Sequence, residues 1–263
     1  MGYNAPVNTL DVSNSNTPNH VDPTNQVPAI YQRAIVQLNG DRSFLVASVN
    51  AYRGNNGRAA ILNDRYGQNI YYTVGNAGNG SGTEPTDIVD NTGVQIAQPN
   101  IAETTVVGVQ QGTPGSKNGF QYGYSVTQYG SPPYSADKSG KDDNFRGERI
   151  FHDTLYVSKG SGGNGIDTVF QVGATGMLPT VATASSTTVT ILPGFPTGLA
   201  TNISTDPSSS TFAATNIHPF GVWFANATTL YVADEGDGVN NKLNALNPNA
   251  GLQRTGYAIS PEN

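Results

Sequence analysis

The chain has 263 residues, a net charge of −6 and no cysteine, and only 12% of its residues are charged, against a usual share of roughly 25%. The acidic balance excludes a nucleic-acid binder and disfavours an anionic membrane surface, while the lack of cysteine excludes disulfides, thiolate metal sites and a cysteine nucleophile. Its 31 Gly and 16 Pro, with many Asn, Ser and Thr, disfavour helices and indicate an all-β fold.

The first 50 residues are predicted to contain one isolated strand and one hairpin. The strand is expected over residues 7–12 and is followed by a polar loop. The hairpin joins apolar runs over residues 34–38 and 44–48 through a turn that opens with Asn39 and Gly40. Both of these residues accept a positive φ, so an Asn-Gly pair between two apolar runs predicts a tight hairpin turn at this point.

A two-strand pattern then occurs three times, and the copies align on Tyr71, Tyr156 and Tyr231. Each copy predicts an apolar strand, a tight polar turn, a second apolar strand and a Gly-rich or acidic loop. Four antiparallel strands repeated along a chain are typical of propeller blades. The predicted strands cover residues 57–62, 69–73, 94–97 and 120–128, then 144–151, 154–158, 168–172 and 187–192, then 219–224, 230–234 and 253–260.

These strands predict a β-propeller domain of about 3.5–4 blades, over approximately residues 1–50, 51–131, 140–197 and 215–263. A propeller has to close, because an open sheet edge exposes unpaired backbone groups. We therefore expect part of a larger propeller, whose partners are the missing blades or another copy that pairs through open strand edges. An all-β sandwich or a solenoid is the alternative fold. The composition indicates an extracellular or periplasmic location, although the N-terminal residues carry no signal-peptide pattern.

The third copy carries a resemblance to a known family. Its segment Pro219-Phe-Gly-Val-Trp-Phe, followed by Leu230-Tyr-Val-Ala-Asp-Glu-Gly, resembles the NHL-type propeller repeat. The second copy keeps Gly147 and Leu155-Tyr-Val but has Ser158-Lys159 where the family has Ala-Asp, and the first copy keeps little of the pattern. The chain also resembles uncharacterised secreted propeller proteins with long loops, found in bacteria and plants, to which no activity is assigned.

The resemblance implies that the loop entering the first strand of a blade and the loop after the second strand lie on one face. Propellers usually bind ligands on this face, and that expectation rests on analogy of fold. A solvated turn is the alternative for each of these loops. The candidate ligand-binding residues on this face are Asp142, Asp143, Asn144, Arg146, Lys159 and His218.

The loop that begins at Asp234 is the most charged segment of a charge-poor chain. Its carboxylates, from Asp234, Glu235 and Asp237, are hard oxygen ligands of the kind that Ca²⁺ prefers, although the spacing does not match an EF-hand. The alternative is a turn in which Asp234 caps backbone N–H groups. Calcium is the only cofactor that the sequence suggests.

Aromatic residues and sequons supply the remaining candidates. The strand residues Phe151, Phe220, Trp223 and Phe224 are predicted to form core between blades. A carbohydrate-stacking surface is predicted from Tyr52, Tyr122, Tyr124, Tyr129 and Tyr134. Glycosylation sequons occur at Asn79, Asn202 and Asn226.

Two functional hypotheses follow. The first is a non-enzymatic extracellular β-propeller module that binds a protein or carbohydrate partner, or that has a structural or assembly role, because no catalytic constellation is recognisable. The alternative is a Ca²⁺-dependent propeller hydrolase or lactonase, with its site on the loop face and with Asp143, Asn144, His218 and Asp234 as ligands.

Overall fold

The structure is a computed structural model, and it describes residues 1–67, 69–78, 91–108, 110–111, 123–124, 126–127, 143–160, 165–196, 217–234 and 255–258. The described residues form an all-β fold of mainly antiparallel sheets, which confirms the all-β class, while the number of blades stays a prediction. No helix in this part of the chain is long and apolar enough to cross a membrane.

The first sheet contains three antiparallel strands and differs from the prediction at its N-terminal end. No strand forms over residues 7–12, so that prediction was wrong. Asn8 and Asp11 have left-handed backbones, with φ of 68° and 55°, which interrupts an extended chain, and a short 3₁₀ helix follows at Val12–Asn14. The strands are β1 (Gly2–Tyr3), β2 (Arg33–Leu38) and β3 (Phe44–Val49), in the order β1-β2-β3.

The β2–β3 hairpin is confirmed, but its turn is not the predicted one. The left-handed residue is Arg42, with φ of 71°, rather than Asn39 or Gly40. The N–H of Asn39 donates to the carbonyl of Ser43 at 2.9 Å, and the N–H of Arg42 donates to the carbonyl of Asn39 at 3.0 Å. The turn is therefore longer than a two-residue hairpin turn, and its left-handed residue forms a bulge at the end of the loop.

The second sheet is a four-stranded meander whose last strand was predicted in the wrong place. The fourth strand lies at Ile101–Val107 and not at residues 120–128. The chain turns back at Asn100, with φ of 64°, so the segment directly after the third strand pairs with it. The strands are β4 (Gly57–Asn63), β5 (Ile70–Gly75), β6 (Gly93–Gln98) and β7 (Ile101–Val107).

The predicted strand at residues 120–128 is divided between two short pairings. The strands β8 (Gln110–Gln111) and β9 (Gly123–Tyr124) pair with each other, and β10 (Val126–Thr127) runs parallel to the outer strand of the third sheet. Neither pairing belongs to the second sheet, so the predicted fourth strand of that sheet is not formed by this segment.

The third sheet confirms the second predicted copy. Its first two strands are joined by the two-residue turn His152-Asp153, and both residues have positive φ, 45° and 56°. Such a turn matches the twist of the flanking strands. The strands are β11 (Gly147–Phe151), β12 (Thr154–Lys159), β13 (Thr168–Val172) and β14 (Val189–Ile191), with β10 at the outer edge.

The fourth sheet has three described strands, and the predicted third strand over residues 253–260 is confirmed in a shorter form. The strands are β15 (Pro219–Asn226), β16 (Thr229–Asp234) and β17 (Thr255–Ala258), in the order β15-β16-β17.

The four main sheets stack in chain order in a propeller-like arrangement. The strand β4 contacts β11, and β11 contacts β15, so the first strands of successive sheets are neighbours. Among the described strands, no extensive packing joins the first sheet to the last sheet, and no closed ring is detected. The described stack therefore has two ends.

Buried apolar side chains fill the space between neighbouring sheets. Between the third and fourth sheets, the rings of Phe151 and Phe224 stack with centroids 4.4 Å apart. These two residues confirm the predicted core between blades. Gly147 and Gly160 allow close approach here, because a Cβ at either position would clash with the backbone of residues 218–220.

The prediction was wrong for the other two aromatic residues. The side chains of Phe220 and Trp223 are about half exposed. Successive residues of a strand point to opposite faces, so Phe224 faces the third sheet while Trp223 faces away from it. Trp223 therefore lies on the outward face of the last sheet, which no sheet of the described residues covers.

A buried arginine holds the N-terminal loop against the first sheet. The guanidinium of Arg33 is fully buried and donates to carbonyl oxygens of Tyr31, Ser15, Tyr52 and Asn55 at 2.7–2.9 Å. Burial lowers the pKa of Arg33 to about 10, and Tyr3 acts weakly in the opposite direction. No sequence pattern predicted this role for Arg33.

Candidate functional site

The predicted loop face brings together Lys159, Asp167 and His218. Lys159 ends β12, Asp167 directly precedes β13, and His218 directly precedes β15. Lys159 Nζ donates to Asp167 Oδ1 at 2.7 Å, with side chains that are 0% and 10% exposed. His218 Nδ1 lies 3.4 Å from Asp167 Oδ2 and 3.1 Å from the carbonyl oxygen of Gly160. The end of β12 in the third sheet thus lies close to the start of β15 in the fourth sheet.

The electrostatics of this cluster favour a charged His218. The hydrogen bond to Asp167 raises the pKa of His218, burial lowers it, and the charges of Asp167 and Asp234 raise it further. The imidazolium then donates from Nδ1, and Nε2 has no hydrogen-bond partner among the described residues. With His218 charged, the positive charges of Lys159 and His218 balance the negative charges of Asp167 and the nearby Asp234.

A similar polar contact occurs one sheet earlier and contains Asp143. Asn76 follows β5, Thr92 precedes β6, and Asp143 lies just before β11. The hydroxyl of Thr92 donates to Asp143 Oδ1 at 3.3 Å and lies 3.4 Å from Asn76 Oδ1. Asp143 is almost fully buried. The loop geometry at Lys159 and His218 is therefore repeated at the junction between the second and third sheets.

A buried carboxyl group, which the sequence did not single out, lies on β11. Both carboxyl oxygens of Glu148 are buried and have no hydrogen-bond partner among the described residues. Burial raises the pKa of Glu148 well above its usual value, and the N-terminal charge opposes this. Glu148 in turn acts on Tyr52, whose own pKa is raised well above 10, mainly by burial. The structure therefore favours a neutral carboxyl group at this position.

The remaining predicted site residues lie outside this cluster or outside the described residues. Asn144 Oδ1 accepts a hydrogen bond from Arg58 Nε at 3.3 Å, and the N–H of Arg146 donates to the carbonyl of Ser158 at 2.7 Å. Residues that lie outside the described part are Asp142, Glu235, Asp237, Asn79 and Asn202.

Asn226 is the last residue of β15, next to the turn that leads into β16. Its Oδ1 accepts hydrogen bonds from the N–H and the hydroxyl of Thr228, each at 2.9 Å. The sequon is thus located in an exposed turn, and its glycosylation stays a prediction.

The predicted carbohydrate-stacking surface is wrong at Tyr52, which is fully buried and bonds Thr73 Oγ1 at 2.7 Å. The other four predicted tyrosine side chains, at positions 122, 124, 129 and 134, lie outside the described part. The described residues also contain no group of three or more His, Asp or Glu side chains that could hold a metal ion. The calcium hypothesis therefore depends on Glu235 and Asp237.

The two end sheets expose apolar faces. On the first sheet, the cross-strand pairs Val36–Val46 and Leu38–Phe44 lie on the face turned away from the second sheet, and their side chains are 59%, 52%, 75% and 67% exposed. We call these four residues the first apolar face. Apolar patches of this kind often mark interaction surfaces.

The last sheet exposes a second apolar patch on the face turned away from the third sheet. Trp223 and Tyr231 are directly opposite each other across β15 and β16, and their rings stack with centroids 5.7 Å apart. Each is 53% exposed. We call this pair the last apolar face.

Comparison with known proteins gives no relative: no family model, no curated protein and no solved structure matches this chain.

Proposed function

We propose that this chain is a non-enzymatic, extracellular β-propeller module with a binding or assembly role, and that the two apolar faces are its recognition surfaces. The observation that carries the proposal is the contrast between interior and end sheets. Faces between neighbouring sheets are filled by buried side chains such as Phe151 and Phe224, whereas no described residue covers the apolar side chains on the outward faces of the first and last sheets.

The loop cluster supports a binding role more than a catalytic one. Lys159 is paired with Asp167, which also faces His218, so these charged groups largely neutralise one another inside the protein. A fully buried lysine is not accessible to a substrate. The cluster instead links the third and fourth sheets through the contact of His218 with the carbonyl of Gly160.

The single tryptophan of the chain allows a direct test. Iodide quenching of Trp223 fluorescence would be measured in very dilute protein, with Trp223→Phe as the control for tyrosine emission. We expect efficient quenching, because half of the Trp223 side chain is exposed and no charged residue lies on its strand. A tryptophan that is shielded in a monomer would show that the chain covers its own last apolar face, and the proposal would fail.

A second candidate function, the Ca²⁺-dependent hydrolase, is favoured by one arrangement. Asp167 and the carbonyl of Gly160 hold His218 Nδ1, and Asp234 is close enough to act on its pKa. This leaves Nε2 for a substrate proton. Calorimetric titration with Ca²⁺ and a panel of ester and lactone substrates would be compared between the native chain and His218→Gln. Absence of both calcium binding and His218-dependent turnover would eliminate this candidate.

A further inference from the structure

We infer that the partner that covers both apolar faces is a second copy of this chain, docked head to tail so that the last apolar face of each copy packs on the first apolar face of the other. The inference rests on the proposed function and names the partner of its recognition surfaces. The product is a closed ring with two equivalent junctions.

The direction of stacking decides which faces can meet. We call the face of a sheet that is turned towards the next sheet in the chain its forward face, and the opposite face its backward face. Each internal junction joins the forward face of one sheet to the backward face of the next, as Phe151 of the third sheet packs on Phe224 of the fourth. In the first sheet, Ile35 and Ala47 face forward and are buried, so Val46 and its neighbours form an unused backward face. In the last sheet, Trp223 is on an unused forward face. The two uncovered faces are therefore a complementary pair.

The number of described sheets fits a ring. The described residues of each copy form four main sheets, so two copies place eight such sheets around one axis, which is within the usual range of about 4–8 propeller blades. Contacts between unlike surfaces give a ring when the rotation closes and a filament when it does not. The propeller-like arrangement of the sheets within one copy favours the ring.

The exposed area reaches the lower limit for a specific pair. A buried aromatic side chain covers roughly 150–250 Å², so half-exposed aromatic residues offer on the order of 100 Å² each. The six residues of one junction then contribute roughly 500 Å², and two junctions contribute on the order of 1,000 Å², which is about the minimum for a biological interface.

The strands that carry these faces have few charges to oppose association. In β2, β3, β15 and β16 the only charged residues are Arg33 and Asp234, each at a strand end. The solvated face of an antiparallel sheet usually carries polar or charged side chains. The absence of charged side chains from both faces favours surfaces that are covered in the working protein.

The test uses one charged variant on each face and measures mass by light scattering coupled to size exclusion. We expect the native chain to be a dimer and both Val46→Glu and Trp223→Glu to be monomers. An equimolar mixture of the two variants should recover dimers, because it forms one junction with both native faces. Met177→Glu, at an exposed loop residue outside both faces, is the matched control and should remain dimeric.

Several outcomes would overturn the inference. A native monomer with quenchable Trp223 at high concentration would reject the second copy but leave the proposed recognition surfaces intact. A dimer that is broken by Trp223→Glu but not by Val46→Glu would show pairing of like faces, and growth beyond the dimer would reject the closed ring. If a variant fails to fold by circular dichroism, dilution of the native chain gives the answer: Trp223 emission should shift to longer wavelength as the mass falls to that of a monomer.

Discussion

Replacing Asp167 by Asn should destabilise the protein because it removes the partner of a fully buried lysine. Lys159 has no exposed side-chain surface, and its Nζ lies 2.7 Å from Asp167 Oδ1. Breaking one half of a buried ion pair costs about 3–5 kcal/mol. We expect a loss of about 3 kcal/mol in the free energy of unfolding, the lower end of this range, because Lys159 makes further contacts.

The assay is equilibrium unfolding in urea, with two variants that separate the contributions. His218→Gln removes the second partner of Asp167 but leaves the buried pair, so its effect at neutral pH should be smaller. The double variant Lys159→Met/Asp167→Asn removes the buried charge and should recover much of the loss. A loss below about 1 kcal/mol for Asp167→Asn alone would show that Lys159 does not depend on this carboxylate, and the reasoning about the cluster would be refuted.

Three further predictions concern pH and close packing. Because the folded pKa of His218 is raised, its stabilising contribution is complete below the unfolded value of 6.5 and is lost as pH rises through the folded pKa; thermal unfolding across this range should show the slope in the native chain and not in His218→Gln. The raised pKa of Glu148 has the opposite effect on stability, because above pH 4.5 ionisation of this carboxyl group favours the unfolded chain. Glu148→Met should therefore raise the free energy of unfolding in urea at neutral pH by more than about 1 kcal/mol, and the gain should vanish as pH falls towards 4.5. Gly160→Ala should cost about 1–3 kcal/mol in urea unfolding because its Cβ meets the backbone of Pro219, whereas Gly40→Ala, with open space around it, should be neutral.

Local patterns in the sequence were sufficient where a pairing depends on neighbouring residues. The turn at His152 and Asp153 and the strands beside it were predicted correctly, since a two-residue turn fixes the register of its hairpin. The fourth strand of the second sheet was misplaced because residues 120–128 alternate more clearly than Ile101–Val107 do. A turn at Asn100 decides between them, and that turn follows from one left-handed residue.

The candidate site shows the same division between local and non-local information. Lys159 and His218 were predicted from the position of their loops, and the structure brings them into one cluster. Asp167 was missed although it directly precedes a strand, as an acidic residue entering a strand has no distinctive spacing. Glu148 was missed because its burial depends on which sheet covers β11, and no pattern within the strand contains that information.

The apolar residues of the end sheets follow the pattern of sheets that are buried on both faces. A sheet with one face in water alternates apolar and polar residues, while a sheet buried on both faces has continuous apolar runs. The segments Ala34-Ile-Val36 and Val222-Trp-Phe224 are continuous runs, yet Val36 and Trp223 remain more than half exposed and no described residue covers them. The run from Ala34 was correctly predicted as a strand, and Trp223 was wrongly predicted as core. Both outcomes have one cause: the sequence pattern indicates that a face is apolar, but it does not indicate which surface covers that face. The missing surface has to come from outside the described stack, and the charged variants at Val46 and Trp223 test for it directly.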